Sequence, residues 1–257
     1  MSLKAELETW ASALEAYDAE DFERALDLFS RIADSSKILT NMGLIYATLG
    51  EHEAAVEQFN AATQLDQYLA VAYFQCGVSN FLLGRHDLSL RDFDEALLYL
   101  RGNQTINYEQ LGLKFKLFSA EVLFNRGLSN IYLGRAEDGL ADMQAARAEK
   151  ATDEHNVIDD AIADAGEGYT VFSIPVGVLY RPSENKLKNA KTKDYMGKAV
   201  RTLKFFIHAT RLTHNRHSTS NSCPAYRNSS HPAASKRRTP NSAASRGASA
   251  PSGLRPM

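Results

Sequence analysis

The residues with the clearest potential for chemistry lie in a polar stretch that reads RGNQTINY from Arg101 to Tyr108. Arg101 offers a planar fork of hydrogen-bond donors, and Asn103, Gln104 and Asn107 each offer both donors and acceptors. This set of groups suits the backbone and polar side chains of a rigid partner better than it suits an extended peptide. The chemistry predicted for the stretch is therefore binding.

The chain lacks the residue patterns of the common catalytic sites. Its paired glycines stand seven residues apart within helical patterns, which is not the spacing of a phosphate-binding loop. His52, His86 and His155 stand far from one another and from Cys, and no serine lies in a GxSxG elbow. The adjacent carboxylates of Asp159 and Asp160 are typical of a solvated helix face. We predict that the chain is not an enzyme, has no metal site and needs no cofactor.

Charge is divided unevenly along the 257 residues. Residues 1–194 carry all 31 acids and 18 of the 29 Lys and Arg, a formal charge of −13, whereas residues 195–257 carry 11 Lys and Arg and no acid. An acidic body disfavours nucleic acid as its partner, because phosphate contacts need clustered Lys and Arg. Two cysteines predict no disulfide framework, and no apolar run is long enough to predict a membrane span. We expect a soluble, cytoplasmic protein.

Paired glycines reveal the repeated unit that must position the polar stretch. Gly43, Gly77 and Gly127 are each followed seven residues later by another glycine, and the 34 residues from the first to the second match the period of tetratricopeptide repeats. Each unit predicts a helix, a turn and a second helix, whose Phe or Met and Ala fill the space beside the first glycine. An earlier unit has Ala13 at the glycine position. The pattern therefore predicts four helical hairpins over residues 3–150.

The interval between the last two of these glycines is 50 residues, so 16 residues are extra, and they fall in an insertion at about residues 101–118. An idle connection is the alternative to a binding loop, but long ordered loops in compact arrays are more often functional. Repeat arrays place their inter-hairpin loops along one edge, so the insertion should lie beside the two earlier loops. Those loops hold Ser35, Ser36 and Lys37, and then Asp66, Gln67 and Tyr68.

The chain changes character after the fourth hairpin. Apolar residues spaced along residues 157–162 predict a helix that caps the array. The β-branched, proline-containing run from Val171 to Leu179 predicts an extended segment, which we expect to fold back into the groove of the array. Residues 200–257 have the composition of a disordered basic tail. Their complete lack of acids is equally the pattern of out-of-frame or read-through translation.

Four stretches resemble a known family, namely AVAYFQCG, EALLYLRGNQTINYEQLGLKFKLFSAEVLFN, IPVGVLYRP and KDYMGKA. They are similar to the N-terminal region of the cytosolic activators of NADPH oxidases, a family that includes the phagocyte activator subunit and its fungal counterpart, the oxidase regulator. The similarity runs from residue 1 to about residue 199. It implies an all-α tetratricopeptide superhelix of four hairpins and a capping helix, with an inserted hairpin between the third and fourth and an extended segment in the groove.

The resemblance also implies a non-catalytic regulatory subunit that promotes superoxide production. Such a subunit is cytoplasmic, is recruited to the membrane on activation, and has two partners, a GTP-loaded Rac-type small GTPase and the membrane flavocytochrome of the oxidase. The implied GTPase contacts that match the family are Ser36, Asp66, Arg101 and Asn103. Three further candidates differ from the family, which has His, Leu and Asp where this chain has Tyr68, Thr105 and Asn107. Lys37, from the loop between the first two hairpins, is the last candidate.

The resemblance further implies an activation segment, which here comprises Asp194, Tyr195, Met196, Gly197, Lys198 and Ala199. Directly after it, residues 200–203 depart from the small aliphatic residues of the family, so the chain is expected either to bind the GTPase without activating the oxidase or to be an incomplete gene product. The predicted domains are residues 1–166 for the repeats, 167–199 for the groove segment and the start of the activation segment, and 200–257 for the tail. The alternative function is that of a general tetratricopeptide adaptor for peptide or chaperone C-termini.

Overall fold

The computed structural model describes residues 2–183 and residue 185, and it arranges them as four helical hairpins with an inserted strand pair and a capping helix. The first helices of the hairpins are α1 Leu3–Asp18, α3 Ser36–Thr48, α5 Ala70–Leu82 and α7 Ser119–Tyr132. The second helices are α2 Phe22–Ser30, α4 His52–Leu65, α6 His86–Leu100 and α8 Ala136–Ala148. The capping helix is α9 Val157–Ala163, and strands β1 Thr105–Asn107 and β2 Lys116–Phe118 pair antiparallel between α6 and α7.

The middle hairpins close because a glycine faces an aromatic ring. A Cβ atom added to Gly43 would stand 2.6 Å from the ring of Phe59, and one added to Gly77 would stand 2.7 Å from the ring of Phe93. Both rings are fully buried. Real Cβ atoms essentially never come this close to another heavy atom, so the missing side chain is what allows the two helices to approach. The predicted packing of glycine against phenylalanine is confirmed.

In the fourth hairpin, a second glycine allows the two helices to approach closely. A Cβ on Gly127 would stand 2.7 Å from the carbonyl oxygen of Gly139 and 3.0 Å from Cγ of Met143. Two facing glycines bring α7 and α8 backbone to backbone, and the flexible methionine fills the remaining space. The predicted role of Met143 is therefore confirmed, whereas the contribution of Gly139 was not anticipated.

The insertion is a packed element with a core of its own. Tyr108, Leu113 and Leu117 are buried, and the ring of Phe115 stacks against Phe74 of α5 with 6.4 Å between ring centres. The Tyr108 hydroxyl accepts a hydrogen bond from the backbone N–H of Val71, at 3.2 Å, in the first turn of α5. That helix has no side-chain cap from its own N-cap residue, so the insertion supplies one of the missing acceptors.

A partly buried carboxyl group and a buried imidazole meet where α7 begins. Nε2 of His155 lies 3.5 Å from Oε1 of Glu121, while its Nδ1 accepts a hydrogen bond from the backbone of Ala151. Burial, together with the nearby charge of Glu154, raises the pKa of Glu121 to about 7. Burial also lowers the pKa of His155. Both groups therefore favour their neutral forms in the folded chain.

None of the helices within residues 2–183 combines the length and apolar character that crossing a bilayer requires. The same residues hold no group of three or more His, Cys, Asp and Glu side chains placed to bind a metal ion.

Replacing Gly77 by Ala should destabilise the chain through its contact with Phe93. Because the added Cβ overlaps the ring, Gly77→Ala should cost about 1 to 3 kcal/mol of unfolding free energy. Phe93→Leu removes Cε1 and Cζ of the ring, which lie 2.7 and 3.0 Å from the added Cβ, so Gly77→Ala should cost clearly less in that background. Urea unfolding of the two single variants and the double variant gives the coupling energy. Strictly additive costs would contradict the packing described here.

Replacing Glu121 by Gln should stabilise the chain more as the pH rises. Glu121 remains protonated in the folded state up to about pH 7 but ionises in the unfolded state from its ordinary value of 4.5, so wild-type stability falls across this window. Gln cannot ionise, and its advantage should grow by about 2 kcal/mol between pH 5 and pH 8. Urea unfolding at each pH measures this difference. The exposed Glu57→Gln is the control and should show no such trend, and a constant advantage for Glu121→Gln would contradict the raised pKa.

Candidate functional site

The two earlier inter-hairpin loops and the insertion lie together at one edge of the array. Nζ of Lys37, at the start of α3, donates a hydrogen bond to the carbonyl oxygen of Leu111 in the insertion, at 2.7 Å. At the other end of the insertion, the guanidinium carbon of Arg101 lies 5.4 Å from the centre of the Tyr68 ring. These two contacts hold the insertion against both loops. We call this edge, comprising residues 35–37, 66–68 and 101–111, the loop edge.

Arg101 is placed by an unusual end to α6. It has a left-handed φ of 54°, and Gly102 follows with φ of 74°, so two consecutive residues turn the chain out of the helix. A left-handed conformation costs a residue with a side chain about 1 kcal/mol. The backbone N–H and Nδ2 of Asn103 both donate to the carbonyl oxygen of Leu100, at 3.0 and 2.7 Å, and close the helix end. The exposed Arg101 is therefore the product of a defined turn.

Three tyrosines form a platform beneath this arginine. The exposed ring of Tyr68 meets Tyr99 edge-on with 5.7 Å between ring centres, and Tyr99 stacks on Tyr73 at 5.2 Å. Burial and the neighbouring Tyr99 raise the pKa of Tyr73 to about 12, so it is neutral at physiological pH. The Arg101 guanidinium lies over the outer ring of this platform, and its N–H groups can still donate to a partner. The sequence pattern indicated Tyr68 but gave no signal for Tyr99.

Asp66 orients the platform from the end of α4. Its Oδ1 accepts a hydrogen bond from the backbone N–H of Tyr68, at 3.1 Å, and so shapes the turn that exposes the ring. Ser36 is half-buried at the first position of α3, directly after Ser35, whose hydroxyl accepts from the N–H of Ile38. Both candidates lie where the loops were expected, and Asp66 has a structural role in addition.

Of the remaining candidates, one is exposed on the surface, and the others make hydrogen bonds that support the insertion. Thr105 is exposed in β1, opposite Phe118 of β2. The Oδ1 atom of Asn107 accepts from the backbone N–H of Glu109 at 2.9 Å, which turns the chain after the strand. Asn103 and Asn107 thus make their hydrogen bonds within the insertion and its helix. Lys37 also supports the insertion through Leu111, and its Nζ lies 5.5 Å from the centre of the Tyr180 ring in the groove segment.

The predicted fold-back of the extended segment is confirmed, and three side-chain amides hold it. Asn125 of α7 pairs with both the carbonyl oxygen and the N–H of Phe172, at 2.8 and 2.7 Å. Gln75 of α5 accepts from the N–H of Ile174 at 3.2 Å. Each amide stands two residues before the packing glycine of its helix, a spacing that is visible in the sequence but was not used in the prediction.

Tyr180 receives the third amide and ends the groove contacts. Asn41 donates to its carbonyl oxygen at 2.9 Å and accepts from its N–H at 2.7 Å, and the Trp10 indole N–H also donates to that carbonyl oxygen, at 3.2 Å. Arg181 then pairs with the carboxylate of Asp18 through two hydrogen bonds of 2.9 and 2.6 Å. The first helices of all four hairpins therefore bind residues 172–181.

The predicted activation segment, Asp194 to Ala199, and the tail of residues 200–257 lie outside the described residues. Their predicted roles and the bounds of the three predicted domains stay predictions.

Comparison with known proteins finds a tetratricopeptide repeat in the chain, in agreement with the predicted fold. The tetratricopeptide repeat family model matches residues 36–68. Neutrophil cytosol factor 2 of Homo sapiens is 39% identical over 205 residues, which are 78% of this chain and 39% of that protein. NADPH oxidase activator 1 of Rattus norvegicus is 34% identical over 202 residues, 77% of this chain and 45% of that protein. NADPH oxidase activator of Dictyostelium discoideum is 31% identical over 185 residues, 70% of this chain and 30% of that protein.

The matched relatives are considerably longer than the region that they share with this chain. The chain spans about two fifths of the length of neutrophil cytosol factor 2.

Removing one amide of the groove should release the segment and cost stability. Asn41→Ala leaves the buried N–H of Tyr180 without its acceptor and its carbonyl oxygen with one donor fewer, so we expect a loss of about 2 kcal/mol. The control Gln144→Ala removes an exposed amide from α8 and should change stability by less than about 0.5 kcal/mol. Urea unfolding gives the loss, and hydrogen exchange should show the Tyr180 amide as newly labile. Equal stability of the two variants would contradict a binding role for the Asn41 amide.

Proposed function

Because this chain is homologous to a part of the NADPH oxidase activators, we propose that it is a non-catalytic regulatory subunit of an NADPH oxidase. It binds a GTP-loaded Rac-type small GTPase at the loop edge and promotes superoxide production by the membrane flavocytochrome. The observation that carries the proposal is the joining of the insertion to both earlier loops, through Lys37 with Leu111 and Arg101 with Tyr68. The RGNQ start of the insertion, which resembles the family, lies at that edge.

The regulatory character agrees with the names of the relatives. They are called activators or a cytosol factor and none is named as a catalyst, which supports a non-catalytic role for this chain. A regulatory subunit works through recognition, and the loop edge presents groups for it. Arg101 supplies N–H donors and Asp66 supplies a carboxylate, both held by local turns. Such fixed groups suit the folded surface of a GTPase, because little conformational entropy is lost when they bind.

The alternative of a peptide adaptor has less support in the contacts. A peptide bound along the first helices would need the amides of Asn41, Gln75 and Asn125, and all three bind the chain's own segment. An incoming peptide would first have to displace residues 172–181 together with the pairing of Arg181 and Asp18. The groove therefore favours the internal ligand, while the loop edge lies open to a partner.

Membrane recruitment and activation of the flavocytochrome complete the proposal, and the similarity to NADPH oxidase activators supports them. The residues proposed to act on the oxidase are Asp194 to Ala199. The subunit itself would stay cytoplasmic until the GTPase brings it to the membrane.

Reversing the charge of Arg101 should weaken binding of the GTPase at least about thirtyfold. Arg101→Glu places a carboxylate where a donor fork stood, and loss of a charge-assisted contact at an interface typically costs 2 kcal/mol or more, about thirtyfold in affinity. Arg91→Glu is the matched control, since Arg91 is exposed on the same helix about 15 Å before the helix end. Binding is measured by calorimetry with a GTP-loaded Rac-type GTPase, and helical circular dichroism verifies that both variants are folded.

Comparison of Arg101→Glu with Arg91→Glu shows whether the loop edge is the binding site. Lost binding for Arg101→Glu with intact binding for Arg91→Glu supports the loop edge. Equal binding of Arg101→Glu and the unchanged chain would refute the site, and absence of binding by the unchanged chain would refute the partner.

A further inference from the structure

The groove segment and the insertion touch each other, although the chain separates them by the whole fourth hairpin. The backbone N–H of Arg181 donates a hydrogen bond to the carbonyl oxygen of Gly112, at 2.8 Å. The approach is so close that a Cβ on Gly112 would stand 2.3 Å from the carbonyl oxygen of Arg181. Gly112 also has a φ of 97°, a conformation that other residues rarely adopt. The tip of the insertion is therefore shaped to lie against the end of the segment.

Lys37 adds a second link between the same two elements. Its ammonium group donates to Leu111, the residue before Gly112, and also lies 5.5 Å from the centre of the Tyr180 ring. The Tyr180 ring thus lies beside the same ammonium group of Lys37 that donates to the insertion. Removal of the segment would take away this attraction as well as the hydrogen bond from Arg181.

The Tyr180 side chain reaches the core beneath the loop edge. It is fully buried, and its hydroxyl oxygen makes no hydrogen bond to any described residue. The hydroxyl of Tyr108 and the carboxylate of Asp66 lie near enough to raise the pKa of Tyr180 further, beyond the larger effect of burial. Tyr180 of the groove segment therefore interacts electrostatically with Tyr108 of the insertion and with Asp66 of the loop edge.

The far end of the segment is fixed to the first two hairpins. Tyr180 is bound by Asn41 and Trp10, and Arg181 is bound by Asp18. The insertion is thus held to α1 and α3 partly through two residues of the segment. Docking of the segment and placement of the loop edge are linked through shared contacts.

We propose that Tyr180 and Arg181 are positioning residues for the loop edge, so that docking of the groove segment sets the affinity for the GTPase. The inference rests on the proposed function and adds its regulation. When the segment is docked, the insertion is held in place and Arg101 with its platform is ordered. When the segment leaves the groove, the insertion loses its contact with Arg181 and the affinity falls. Binding of the GTPase must in turn strengthen docking of the segment, because coupling between two sites is reciprocal.

The test uses Gly112→Ala in the full chain, since the added methyl group cannot coexist with the close approach of Arg181. Gly84→Ala is the matched control. Gly84 has a φ of 72° in a hairpin turn and no atom within 4 Å of an added Cβ, so it carries similar backbone strain without touching the insertion. Affinity for a GTP-loaded Rac-type GTPase should fall on the order of tenfold for Gly112→Ala and stay within about twofold for Gly84→Ala. Hydrogen exchange should show the amides of residues 179–181 as more labile in Gly112→Ala alone.

A second measurement needs no variant. Addition of the GTP-loaded GTPase to the unchanged chain should slow hydrogen exchange at Tyr180 and Arg181, and the GDP-loaded form should not. If exchange at these two amides is unaffected by the bound GTPase, the coupling is refuted. It is refuted equally if Gly112→Ala shows labile segment amides but binds with unchanged affinity.

These outcomes are distinct from failure of the proposed function. If the unchanged chain binds the GTPase and Arg101→Glu does not, the function stands whichever result the coupling experiments give. If the unchanged chain does not bind, the proposed function and the coupling fall together.

Discussion

The close approach of paired helices, made possible by glycine, is the constraint on which the other features of this chain depend. At Gly43 and Gly77 the missing side chain lets a phenylalanine ring of the second helix lie directly on the backbone of the first. Because this contact recurs with the repeat, the residues two positions earlier recur in space as well. They include Asn41 and Gln75, and both bind the backbone of one extended segment. The packing of the hairpins thus generates a row of amides, and the row selects an extended ligand.

The sequence was sufficient to predict the elements that repeat. The glycine spacing located four hairpins, the excess of 16 residues located the insertion, and the proline-containing run was recognised as an extended segment for the groove. These predictions succeeded because each rests on the spacing or composition of a short stretch, which sequence displays directly. The amide row was equally periodic and could have been found by comparing the positions before Gly43, Gly77 and Gly127. Amides inside a helix give no signal of binding unless a ligand is considered.

The contacts that assemble the candidate site could not be predicted in the same way. The bond from Lys37 to Leu111 joins residues 74 positions apart, and the bond from Arg181 to Gly112 depends on the path of an irregular insertion. No spacing rule connects such pairs. The prediction consequently treated Lys37 and Asn107 only as residues of a binding surface, while the structure shows both supporting the insertion. Polar side chains in loops often satisfy the backbone of their own turn, and only coordinates separate that role from ligand binding.

The contacts of Tyr180 and Arg181 also bear on the choice between the two functions. A peptide adaptor requires an empty groove, and emptying this groove removes the hydrogen bond to Gly112 and the ring beside Lys37. The loop edge would lose part of its support in the same event. An occupied groove and an ordered loop edge are therefore one state of the chain, and an open groove with a loosened edge is the other. Since a partner stabilises whichever state it binds, a ligand of the loop edge and a peptide ligand of the groove would oppose each other. The many contacts of residues 172–181 with all four hairpins favour the state in which the loop edge is ordered.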